Sequence, residues 1–237
     1  MRKILLLVAC FCCCGLATAG TRDITLTTAD HVNIRATLNT PDETGNPAAA
    51  VILIHQGGSN RREWDVLVPK LLDQGYYVLA YDVRGHGESD PVDSLRKLFN
   101  DPAQAPLDLQ AAMHFLTALP GVDAQRIAVV GASIGANLAA MASSEMAVKT
   151  AVAISGKTAA VYNLAGKTDL ALRSVFYIAA DGDQNGRRAA WAKELFDRTA
   201  EPRRLEIVTN SSRHGVGIFD DRPRVMQMIL EWLQTTL

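Results

Sequence analysis

A serine stands between two glycines in Gly131-Ala132-Ser133-Ile134-Gly135, directly after the apolar run Arg126-Ile127-Ala128-Val129-Val130. The residues that follow, Ala136-Asn137-Leu138-Ala139-Ala140-Met141-Ala142, read as a helix. A serine on a sharp strand-to-helix turn has its hydroxyl pushed out of the backbone and into a cleft. The flanking glycines are needed because the turn is strained and the helix starts close against the strand. A serine hydroxyl is a poor nucleophile at neutral pH and needs an imidazole to take its proton. The imidazole in turn needs a carboxylate to fix its tautomer and stabilise its charged form. Two downstream loops carry such groups: Ala180-Asp181-Gly182-Asp183-Gln184-Asn185-Gly186 and Thr209-Asn210-Ser211-Ser212-Arg213-His214-Gly215. Ser133, Asp181 or Asp183, and His214 are thus candidates for nucleophilic acyl transfer. The pentapeptide alone is equally explained as a flexible turn; the strand before it and the helix after it are what favour the chemistry.

These groups need a scaffold, and the hydrophobic pattern supplies one. Residues 21–27 and 31–38 alternate polar and apolar and predict two antiparallel strands. Residues 41–47 are a loop rich in Pro, Gly, Asp and Asn, and 48–54 are a continuous apolar run, as in a strand buried on both faces. His55-Gln56-Gly57-Gly58-Ser59 is a tight loop, 63–72 is helix-like and 76–81 is another strand. The alternation continues with helices over 106–119, 134–146, 187–198 and 222–237, and strands over 126–130, 150–154, 174–179 and 204–208. Strands alternating with helices after an antiparallel start imply one mostly parallel sheet covered on both faces. Ligands on such sheets bind beyond the carboxyl ends of the strands, which is where both candidate loops fall.

The 237 residues are 48% hydrophobic and 21% charged, enough for one full core, and no linker divides them. A formal charge of -1 gives no sign of a nucleic-acid partner. Arg2 and Lys3, the apolar stretch 4–16 and the small residues Ala17-Thr18-Ala19 predict a signal peptide over 1–19, with the mature chain starting at Gly20. All 4 cysteines, Cys10, Cys12, Cys13 and Cys14, fall inside that segment, so the exported protein is expected to fold without disulfides. Its formal charge would be -3, since Arg2 and Lys3 are lost. A rival is a lipoprotein box at Leu7-Val8-Ala9-Cys10, which would leave an unusually short apolar region before the cysteine. With the signal removed, no stable membrane association is expected, and the product is periplasmic or secreted.

The chain resembles the α/β-hydrolases, and within them the small dienelactone-hydrolase and prolyl-oligopeptidase-like branch. The resemblance is carried by Leu53-Ile54-His55-Gln56-Gly57-Gly58, by Asp82-Val83-Arg84-Gly85-His86-Gly87-Glu88-Ser89, by Pro120-Gly121-Val122-Asp123 and by the serine turn. It runs over nearly all of 20–237 and implies one α/β-hydrolase domain: an eight-stranded, mostly parallel sheet with an antiparallel N-terminal start and helices on both faces. The order Ser133, Asp, His214 is the family's chain order. The family's register favours Asp183 over Asp181 as the acid, the other aspartate then capping the helix near Gly186. Among five histidines, His214 follows the last strand and pairs with Gly215 as the family's histidine does. His55 and His86 fall in loops that the family uses structurally, His31 lies in the N-terminal hairpin and His114 on a helix face.

The resemblance also implies an oxyanion hole from the backbone N–H groups of Gly57 and Ile134. Gln56 departs from the usual His-Gly-x loop. Asp82 and Arg84 would brace the loop around Gly85-His86-Gly87. The span 155–173 is too short for a large lid, and Leu95, Leu98 and Phe99 are either an apolar wall or an ordinary surface helix. The function implied is a serine hydrolase acting on a small-molecule acyl substrate, a carboxylesterase first. A thioesterase, a lactone hydrolase or a short-peptide hydrolase would use the same groups, and a non-catalytic binding protein would keep only the fold. No cofactor or metal is expected, since no ligand cluster or phosphate-binding glycine loop is present.

Overall fold

The computed structural model describes residues 20–42 and 47–237, so the expected signal segment and its cysteines lie outside the described residues. The chain runs through β1 (Gly20–Thr27), β2 (Asn33–Thr40), β3 (Ala48–Ile54), α1 (Val68–Leu72), β4 (Tyr77–Tyr81), α2 (Leu95–Leu98), α3 (Ala105–Thr117) and β5 (Val122–Ala132). It continues through α4 (Ile134–Glu145), β6 (Thr150–Ile154), α5 (Thr158–Ala165), β7 (Arg173–Ala180), α6 (Arg187–Asp197), β8 (Ala200–Val208), α7 (Ile218–Asp221) and α8 (Arg224–Thr236). The strands form one eight-stranded sheet in the order β1-β2-β4-β3-β5-β6-β7-β8. β2 is antiparallel to both β1 and β4, and every later pairing is parallel.

The sheet separates two cores, and β3 shows why its sequence is unbroken apolar. Successive side chains of a strand point to opposite faces. Ala50, Ile52 and Ile54 pack with Leu109, Leu116, Leu138 and Val161, while Ala49, Val51 and Leu53 pack with Trp64, Leu71, Ile229 and Leu233. Helices α3 to α6 cover the first face; α1, α7 and α8 cover the second.

The expected helix over 63–72 is divided, while the one over 222–237 is the single helix α8. The first becomes a 3₁₀ turn, Arg61–Trp64, and the short α1, because Pro69 has no N–H to continue the ladder. Asn60 caps the 3₁₀ turn by accepting the Arg62 N–H at 3.0 Å. At the C-terminal end Pro223 precedes α8 and separates it from α7. The expected strand over 126–130 is the inner part of the longer β5. The span 155–173 contains α5, whose Thr158, Ala160, Val161 and Leu164 are buried, so it is a core helix and not a lid.

Two ionic clusters fix the loop after β4. Asp82, fully buried, accepts the backbone N–H groups of Arg61 and Glu88 at 2.7 and 2.9 Å and pairs with the Arg61 guanidinium. Arg84 reaches Asp108 at 2.7 Å and Asp30 at 2.6 Å. Both therefore brace the Gly85–Gly87 region by contacts of their own, well inside the fold.

Candidate active site

Ser133 sits between β5 and α4 with φ 52 and ψ -105, a conformation rare outside glycine. Such a backbone costs on the order of 1–3 kcal/mol and persists only where the surroundings over-determine it. Here they do: the Ser133 N–H donates to the Ile154 carbonyl at 2.8 Å, and its carbonyl accepts the Asn137 N–H at 3.1 Å. The two glycines permit the close approach, since a Cβ on Gly131 would strike the Gly135 carbonyl and one on Gly135 the Ile54 carbonyl. Every residue from 127 to 143 is buried except Ser133, which is half-buried. The fold thus encases both flanks and leaves the serine open to solvent.

His214 and Asp183 meet across the ends of β8 and β7. Nδ1 of His214 lies 2.7 Å from Asp183 Oδ2. A carboxylate only accepts, so Nδ1 carries the hydrogen and Nε2 of the neutral ring keeps its lone pair. Asp183 is 3% exposed. Asp181 does something else: exposed, it accepts the N–H groups of Asn210 and Ser211 at 2.9 and 3.2 Å and ties the two loops together. Those hydrogen bonds, Asn210 first, hold its carboxyl below the usual aspartate range. Neither carboxylate caps α6; the Asp183 carbonyl instead accepts the Gly186 N–H at 3.1 Å.

The four other histidines stand elsewhere. His55 is fully buried, donating from Nδ1 to the Gln56 carbonyl at 2.7 Å and accepting the Val83 N–H on Nε2 at 2.9 Å. Burial pushes it down to about 4, so it is a neutral strut. His86 packs its ring 5.1 Å from that of His55. His31 lies in the β1–β2 turn with φ 64, and His114 is exposed on α3.

The histidine loop is docked on the serine turn by its neighbours. Gly215 donates its N–H to Ser155 Oγ at 3.0 Å, and a Cβ on it would lie 3.4 Å from that of Ala132 and run into Gln56 Oε1. Arg188 of α6, buried, donates from Nη1 to the Ser155 carbonyl at 2.8 Å. Burial lowers its pKa from the usual arginine value, and the charge of Asp183 opposes that. The structure therefore gathers the loops after β3, β5, β6, β7 and β8. It forms no hydrogen bond between Ser133 Oγ and His214, a contact that commonly tightens only with substrate present.

The expected oxyanion donors sit in the loop after β3 and at the start of α4. Ile134 opens α4, where N–H groups lack intrahelical partners. Gly57 is exposed, and the Phe99 ring lies 3.5 Å from where its Cβ would stand. Of the three apolar residues named from the sequence, Phe99 reaches this loop, Leu98 is fully buried and Leu95 is 49% exposed. Two residues of the site escaped sequence reasoning. Glu63 accepts the Gln56 N–H on Oε1 at 2.8 Å, and Arg188 secures Ser155. Both belong to charged runs, Arg61-Arg62-Glu63 and Arg187-Arg188, that look like solvated surface.

Residues 51–235 match the family described as "Alpha/beta hydrolase family". No curated protein matches the chain. Among solved structures, an esterase of Pyrococcus furiosus is similar at TM-score 0.75 and 22% identity, covering 92% of this chain and 93% of its own. An acetyl xylan esterase from Paenibacillus sp. R4 gives 0.73 and 19%, covering 94% and 86%. An esterase from Exiguobacterium antarcticum gives 0.67 and 13%, covering 90% and 100%. At these identities the likeness is one of fold.

Proposed function

The chain belongs to the α/β-hydrolase family, and on that footing we propose that it is an exported serine hydrolase, a carboxylesterase for small or medium acyl esters. The observation that carries this reading is the 2.7 Å pairing of His214 with the buried Asp183, on loops docked against the turn of the half-buried Ser133. His214 Nε2 takes the Ser133 proton as Oγ attacks the ester carbonyl carbon. The carbonyl oxygen becomes the tetrahedral oxyanion, stabilised by the N–H groups of Gly57 and Ile134; each such donor is worth about 2.7–4 kcal/mol of barrier. Collapse breaks the C–O bond, and His214 gives its proton to the departing alkoxide. Water then attacks the acyl-serine, its proton passes to His214, and the acid leaves as the proton returns to Ser133. Asp183 stays ionised throughout and stabilises the imidazolium. No step requires a cofactor.

A fluorophosphonate probe should label the folded wild type and spare Ser133→Ala. Absence of labelling, or equal labelling of the variant, would leave a binding protein that keeps the fold. A panel of nitrophenyl esters, thioesters, lactones and aminoacyl amides is expected to rank short esters first; a faster thioester, lactone or amide would reassign the substrate class. Export as a soluble chain is tested by mass spectrometry of the protein expressed with its leader. A mature N-terminus at Gly20 supports it, and a lipid-modified Cys10 refutes it.

A further inference from the structure

Two side-chain oxygens beside the loop after β3 are buried without a hydrogen-bond partner: Gln56 Oε1 and Glu63 Oε2. A buried acceptor without a donor is unfavourable. Their groups adjoin, because Glu63 Oε1 accepts the Gln56 N–H at 2.8 Å. The Gln56 side chain then leads onward: its Oε1 occupies the space where a Gly215 Cβ would stand, one residue from His214. Resting on the function proposed above for Gly57 and His214, we propose that Glu63 is a positioning residue that ties the oxyanion loop to the histidine loop through Gln56.

A hydrogen on Glu63 Oε2 removes one of these bare acceptors, because that atom then donates. Burial, opposed by the Ser59 hydroxyl, the Gln56 N–H and the charge of His214, pushes Glu63 up to about 7, so the carboxyl keeps that hydrogen to near neutrality. The surrounding charges are accounted for. His55, in the loop itself, is neutral; Arg61, on the same turn as Glu63, is engaged by Asp82, Glu88 and Asp23; Arg62 is exposed. His214, itself paired with Asp183, is the remaining group whose charge Glu63 feels. As pH rises, Glu63 loses its hydrogen and the tie loosens.

The test compares wild type, Glu63→Ala and Glu63→Gln, each as the full chain. It measures nitrophenyl acetate hydrolysis from about pH 5 to 9 and the rate of fluorophosphonate labelling. Glu63→Ala should lower kcat by roughly 10–100-fold with KM changed less than about threefold, the signature of lost positioning. Glu63→Gln keeps an oxygen to accept the Gln56 N–H and an N–H in place of the carboxyl hydrogen, and should recover most of that loss. In wild type kcat should fall as pH rises through about 7, where Glu63 loses its hydrogen, and Glu63→Gln, which cannot ionise, should not show that fall. Unchanged kcat in Glu63→Ala, a glutamine variant as slow as alanine, or the same fall near pH 7 in Glu63→Gln would overturn the proposal. If Glu63→Ala does not fold, the profile of Glu63→Gln above about pH 7 decides. A wild type that takes no label removes the hydrolase reading and this one with it; a labelled wild type matched in rate by Glu63→Ala removes only the role of Glu63.

Discussion

Glu63→Gln should also change how stability depends on pH, and this consequence does not require that the protein be an enzyme. The Glu63 carboxyl moves from 4.5 to about 7 on folding, chiefly because burial penalises its charged form. The folded state therefore holds this proton more tightly than the unfolded chain. Below pH 4.5 both states are protonated and nothing is lost. Between 4.5 and about 7 the unfolded chain ionises first, and wild-type stability falls as pH rises; above that window the loss is complete. At about 1.4 kcal/mol for each tenfold change in proton affinity, the loss is on the order of 3 kcal/mol. Glutamine cannot ionise and escapes it. Relative to wild type, Glu63→Gln should thus gain on the order of 3 kcal/mol between pH 4 and pH 8, or roughly 6–12 °C in melting temperature for a chain of this size. The assay is urea denaturation of both proteins at the two pH values, followed by tryptophan fluorescence. The quantity that matters is the change in their difference, because the baseline cost of an amide cancels. A difference that does not vary with pH, or one that moves against the variant, would refute the argument.

Three further outcomes follow from the geometry. Asp183→Asn should lower kcat by on the order of 10⁴-fold, while Asp181→Asn stays within about threefold, and steady-state kinetics on one ester separates them. Phe99→Ala opens the space above Gly57 and should raise kcat/KM for octanoyl relative to acetyl nitrophenyl esters by roughly tenfold; an unchanged ratio would remove Phe99 from the acyl wall. Asp30 is held down to about 2, first by its hydrogen bond to Arg84, so its contribution to stability is full above 3.8 and lost as pH falls through about 2. The stability gap between wild type and Asp30→Asn, read by chemical denaturation, should therefore be open at pH 6 and close between about pH 4 and pH 2.

The legible parts of this chain were those encoded by local pattern. β3 is an unbroken apolar run, and β6 is one after Thr150, because both of their faces are covered, and the Ser133 turn is marked by glycines that the close backbone approach requires. The preference for Asp183 over Asp181 rests on a family register; in the structure Asp183 is the aspartate paired with His214. What stayed hidden depends on burial that charge conceals. Glu63 and Arg188 sit in polar stretches, yet each is enclosed by groups distant in sequence. Pro69 was the available signal for the division of the helix expected over 63–72, and the apolar pattern around it masked that signal. The outer part of β5 was missed because Asp123, Gln125 and Arg126 are polar on a stretch of strand that leaves the core.

The contact between Gly215 and Ser155 joins residues 60 apart in the chain, and the loop it secures comes from the last strand of the sheet. The turn that bears Ser133 is therefore made well before the segment that carries His214 in the order of synthesis. A chain interrupted before β8 carries a hydroxyl with no base beside it. On the function proposed above, reactivity is then a late property of the molecule, acquired when the loop after its last strand docks.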